Sequence, residues 1–166
     1  MIWVFLLMAQ SAAAQNAVPT QIERGEALFY ESPGGCGTCH ALKGKGTAIG
    51  PDLKGVSRLS PAGIAMAIRS TVTQYVQSMK VKSAGTFPAM PPGPDGSTVK
   101  VYDLSKMPPE LHEVDRGEIS MSPNNAWRHP PSVRKYTDEQ IADLIAYVRY
   151  AGSGSKTPVD PADVAK

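Results

Sequence analysis

Cys36-Gly37-Thr38-Cys39-His40 is the stretch that decides how this chain is read. Its two thiols lie about one helical turn apart, and an imidazole follows the second at once. A disulfide between them would close a loop too short to restrain much of the unfolded chain. Two thiols so placed can instead add to the two vinyl groups of a single haem, with the adjacent imidazole set under the iron as its proximal ligand. Covalent attachment also keeps a cofactor from escaping into a dilute extracytoplasmic compartment. Five residues match by chance at times, so the motif takes its weight from what surrounds it.

Upstream, residues 21–30 place Ile22, Leu28, Phe29 and Tyr30 among Glu23, Arg24 and Glu26, a short amphipathic helix. Thr20 with Glu23 forms a capping box, and Pro33-Gly34-Gly35 ends the element and turns the chain into Cys36. Downstream, the Gly- and Lys-rich residues 43–55 read as an irregular loop. Ser60-Pro61 opens a second helix, with Ile64 and Ile68 on one face, running to about Val72. Residues 85–131 are proline-rich, carry few periodic apolar positions and read as mostly loop. The clearest helix begins at the capping box Thr137-Asp138-Glu139-Gln140. It carries Ile141, Leu144, Ile145 and Val148 on one face and stops at Gly152, leaving residues 153–166 as a flexible C-terminal tail.

Length and composition fit one soluble domain. The 166 residues are 42% hydrophobic and 19% charged, and 15 Gly with 15 Pro point to much loop. A net charge of +2 without any run of like charges gives no footprint for nucleic acid. Residues 1–14 carry the uncharged apolar run Ile2 to Ala9 and then Ala12-x-Ala14. This is a signal peptide lacking the usual basic start, with Gln15 as the mature N-terminus. The run is shorter than the roughly 20 residues needed to span a bilayer, so no stable membrane insertion is expected after cleavage. The expected location is the periplasm.

With those residues in view, the chain resembles bacterial monohaem class I c-type cytochromes over residues 21–92 and again over 136–150. The resemblance implies an all-α fold in which N- and C-terminal helices cross beside one covalently bound haem c, with long loops. Gly25 with Phe29 or Tyr30 resembles the family's first partner at that crossing, and Tyr147 the second. Gly50-Pro51-Asp52-Leu53 is similar to the family's glycine-proline turn, which implies that Pro51 packs beside His40 while a nearby carbonyl orients the ring. Phe87-Pro88-Ala89-Met90-Pro91-Pro92 is similar to the loop that carries the distal methionine in many bacterial members, making Met90 the foremost candidate for the second iron ligand. Met107, followed by its own two prolines, and Met121, nearer the last helix, stay open as alternatives, with Met79 behind them. Core packing is the commoner fate of any one methionine.

The chain departs from the family in residues 91–136, an insertion between the presumed distal methionine and the last helix, so the cytochrome domain is expected over residues 15–152 with this loop-rich segment inside it. The insertion covers the haem edge or docks a redox partner, or it merely elaborates the surface; Trp127 or Arg128 within it could meet a haem propionate. Lys43, Lys45, Lys54 and Arg58 cluster after the motif and could steer an acidic partner, or be an ordinary solvated face.

Rival chemistries fare worse. A zinc site built from Cys36, Cys39, His112 and His129 lacks a second closely spaced pair. A thioredoxin-like pair would need an apolar strand before Cys36. A haem enzyme or ligand sensor with an open distal side would need an acid or base, for which His112 or His129 is conceivable, although both lie in polar stretches where a surface histidine is the default. The expectation is a single-electron carrier, not an enzyme, shuttling between a dehydrogenase or respiratory donor and a downstream oxidase. Its alternative is a haem subunit held in a periplasmic dehydrogenase complex.

Overall fold

The computed structural model describes residues 20–31, 33–70, 72–73, 75–123 and 126–165. The expected leader, residues 1–14, lies outside the described residues. Helix α1 (Gln21–Tyr30) opens on the expected capping box. Thr20 Oγ1 accepts from the Glu23 amide at 3.2 Å, and the Thr20 amide donates to Glu23 Oε2 at 2.7 Å. Helix α2 (Pro61–Arg69) is capped by Ser60 and ends sooner than the expected Val72. After the four-residue α3 (Pro131–Arg134), helix α4 (Asp138–Ser153) repeats the capping box with Thr137 and Gln140. Its stop is Gly154, at φ 76°, and not Gly152, which lies within the last turn and packs beside Ser57.

α1 and α4 touch backbone to backbone. A Cβ on Gly25 would overlap the Asp143 carbonyl and come within 2.8 Å of Tyr147 Cβ, so only glycine permits this approach. Arg24 clamps the crossing with two hydrogen bonds of 2.8 Å to the Asp143 carboxylate. Phe29, Tyr30 and Tyr147 form an aromatic cluster beside it; Tyr147 donates to the Tyr30 hydroxyl at 3.2 Å, and Tyr30 donates to the Leu42 carbonyl at 3.0 Å.

The all-α expectation is overturned, because the described residues are 36% helix and 22% strand and the fold is mixed. A small hairpin, β1 (Ala41–Leu42) with β2 (Lys45–Gly46), follows the motif. Residues 77–123 form a β unit of two antiparallel sheets. In one, β3 (Gln77–Val81) lies between β4 (Gly85–Ala89) and β7 (Ile119–Pro123); in the other, β5 (Thr98–Asp103) pairs with β6 (Glu110–Asp115). The unit has its own core of Met79, Val81, Phe87, Ala89, Val99, Val101 and Val114. Its strands are five or six residues long, and Pro88 sits on the edge strand β4, where a missing N–H costs no ladder bond. The segment read as proline-rich loop is therefore largely sheet, starting before residue 91 and ending before 136.

The chain end also differs from a free tail. Gln21 exchanges two hydrogen bonds of 2.8 Å with the backbone of Val159, and Val159 and Val164 are buried against the α2 and α4 core.

Candidate haem site

The motif folds as a tight turn. Residues Cys36–Thr38 form one 3₁₀ turn, and the amides of Cys39 and His40 both return to the Cys36 carbonyl, at 3.1 and 2.8 Å. This places both thiols and the His40 ring on one wall of a cavity of about 560 Å³, within the range for small-molecule and cofactor sites. The wall is completed by apolar side chains of α4 and α2, by the 49–56 loop, and by Met90, Leu104 and Met107 from the β unit. The inserted unit thus forms one side of the cavity.

His40 is fixed by the loop that follows it. The amides of Ile49 and Gly50 donate to the Cys39 carbonyl at 3.1 and 2.7 Å, bringing Gly50-Pro51 against the ring. A Cβ on Gly50 would stand 2.5 Å from His40 Cε1, so the ring lies flush on bare backbone. His40 Nδ1 is 2.8 Å from the Pro51 carbonyl. A carbonyl only accepts, so Nδ1 carries the proton and Nε2 keeps its lone pair. Burial holds the imidazole below its ordinary pKa against the pull of the Pro51 carbonyl, so the ring is neutral and able to bind a metal.

Burial also pushes the Cys36 thiol up to about 12, and raises Cys39. Both stay protonated at neutral pH, unlike the activated thiolates of a redox pair. Neither is in a disulfide. Among the described residues no three metal-ligand atoms converge at the cysteines, and His112 lies in the β unit stacked on Phe87, which leaves the rival zinc set unformed.

The methionines divide by position. Met90 and Met107 face the cavity, Met107 with 44% of its surface exposed; Met79 is fully enclosed in the β core. Met121 on β7 and Met66 on α2 are exposed and lie off the wall. Trp127 lines the cavity, its indole N–H 3.5 Å from the Leu104 carbonyl, whereas Arg128 turns to the carbonyls of Ser70 and Ala126. Lys43 and Lys45 cover the rings of Tyr150 and Tyr30.

His129 is the site residue whose position sequence reasoning missed. It was expected at a solvated surface, yet its ring lines the cavity with its centre 6.4 Å from that of His40. Its Nδ1 is buried without a hydrogen-bond partner. Burial foremost, and then the nearby His40, hold it below the ordinary histidine pKa. The available signal was its place just before two prolines and the capping box of α4, but no periodicity marked it as inward-facing.

Two protonated thiols, a neutral imidazole of fixed tautomer and a mostly apolar cavity fit haem in every respect the residues can express. The class this defines is a haem-binding fold of the c type, its helices crossing at Gly25, with a sheet unit inserted. The cytochrome c family model matches residues 22–107, just over half of the chain, and the chain belongs to that family. Haem-based electron transfer is the family's role. No curated protein matches the chain. No helix among the described residues is long and apolar enough to cross a membrane.

Proposed function

We propose that this protein is a periplasmic single-electron carrier holding one haem c, joined by thioether bonds to Cys36 and Cys39 and bound through its iron to His40 Nε2. The observation that carries this reading is the 2.8 Å contact from His40 Nδ1 to the Pro51 carbonyl, with Cys39 directly before His40 and both neutral thiols on the same cavity wall. When bound, the group supplies a one-electron iron couple. The chain's own contribution is to orient the proximal ring through Gly50 and Pro51, to raise the basicity of that ring through the carbonyl, and to keep water from the porphyrin face with Leu144, Ile145 and Val148. Pro51 acts as a haem-packing residue, and Met90 contributes to the wall.

Donor and acceptor are redox proteins: a periplasmic dehydrogenase or respiratory donor on one side and an oxidase on the other. The experiment is export in a host with c-type maturation, followed by the alkaline pyridine spectrum and the intact mass. One thioether-bound haem per chain is expected, lost in the Cys36→Ala/Cys39→Ala double variant. An unmodified mass in the mature wild-type chain would refute the reading.

A further inference from the structure

We propose that His129 is the second axial ligand of the iron, so that the haem is held between two imidazoles. The inference rests on the haem-binding reading above and deepens it by assigning the distal side.

Spacing is the first argument. A metal–imidazole bond is about 2 Å long, and each ligating nitrogen stands about an ångström from the centre of its ring. Two imidazoles sharing one metal ion across it therefore have ring centres about 6 Å apart. The observed separation of His40 and His129 is 6.4 Å, and both rings line the same cavity.

The second argument is chemical. Buried polar atoms are nearly always hydrogen-bonded, and one that is not asks for an explanation. His129 Nδ1 is such an atom. A neutral imidazole keeps one nitrogen lone pair, and a buried ring nitrogen without a partner, on a ring that lines the same cavity as His40, is free to give it.

Third, the backbone that carries the ring is held in place. Arg134 Nε donates to the His129 carbonyl at 2.7 Å, Pro130 leads directly into α3, and the Thr73 amide fixes the neighbouring Trp127 carbonyl at 3.2 Å. Met107, by contrast, is half exposed and lies against Gly34 on the attachment side. Met90 lines the cavity wall from the β unit.

The ferric holoprotein, examined by visible, near-infrared and electron paramagnetic resonance spectroscopy, tests this without any variant. A low-spin ferric spectrum of two nitrogen ligands is expected, lacking the weak sulfur-to-iron band of methionine ligation. His129→Ala should lose the low-spin signal and regain it on adding imidazole, and His129→Met should acquire the sulfur band with a raised midpoint potential. Met90→Ala should keep the two-nitrogen spectrum. A sulfur band in the wild type, conversion to high spin by Met90→Ala, or a His129→Ala spectrum identical to wild type would each overturn the assignment while leaving covalent haem intact. A mature chain without haem overturns both readings.

Discussion

Gly50 and His40 are in contact so close that the imidazole lies directly on the peptide backbone, with the Pro51 carbonyl receiving its Nδ1 proton. The ring's orientation, tautomer and donor strength are thus set by two consecutive loop residues.

Substituting Gly50 by Ala tests that arrangement. The added methyl would stand 2.5 to 3.0 Å from three ring atoms, and the ring must shift away from Pro51. Loss of such supporting contacts costs about 10–100-fold in metal affinity. The expected outcome is a lower haem yield and, in the haem-loaded fraction, a raised midpoint potential, because a weaker hydrogen bond makes the imidazole a poorer donor to ferric iron. Potentiometry checks the direction.

Gly25→Ala tests the helix crossing. Its Cβ would overlap the Asp143 carbonyl on rigid backbone, so α1 and α4 must separate. Overpacking of this kind costs about 1–3 kcal/mol, and a backbone neighbour puts this site at the upper end. Arg24→Ala leaves the buried Asp143 carboxylate without its clamp; the half-exposed guanidinium limits the expected loss to about 1–2 kcal/mol. Chemical denaturation of the holoprotein measures both, and Gly25→Ala should be the more damaging.

Haem removal should unfold the helical part. Without the cofactor, the apolar lining of a cavity of about 560 Å³ would face water, and the burial that holds α1, α2 and α4 together there would be lost. The Cys36→Ala/Cys39→Ala chain should therefore lose most helical circular dichroism. The β unit, with its separate core, should retain amide protection longer than α1 and α4.

Alkaline titration should single out Tyr147. Burial, then its bond to Tyr30, raises its pKa above the ordinary tyrosine value. A group raised in the folded state stabilises fully below its unfolded pKa, about 10, and that contribution is lost as pH climbs toward the folded value. Stability should fall above pH ~10, and Tyr147→Phe should flatten this fall while costing about 0.5–1.5 kcal/mol at neutral pH for the lost hydrogen bond. Ultraviolet difference spectra and pH-dependent melting check the two effects.

The parts of this architecture most legible in sequence are those fixed by local chemistry. Thr20 with Glu23 and Thr137 with Gln140 announce helix starts because each cap is satisfied within four residues. The β unit was hidden because its strands are short and bounded by proline, even though Thr98-Val99-Lys100-Val101 alternates as a half-buried strand should. Pro88 argued for loop, and only the edge position of β4 reconciles it with a sheet. His129 was hidden for a different reason. Its burial comes from Trp127, α2 and His40, all remote in sequence except the first, and no local pattern encodes such an encounter. The tail was misread likewise, since Val159 finds its partner at Gln21, at the opposite end of the chain.

The register of the three-stranded sheet pairs Gln77 directly with Pro123. The β unit therefore leaves and rejoins the helical body through a doorway one residue pair wide, in the manner of a cassette. Its excision or exchange needs no rethreading of the remaining chain. Because Met90, Leu104 and Met107 travel with it, such an exchange would refit one wall of the cofactor chamber while the attachment turn and both histidines stay where they are.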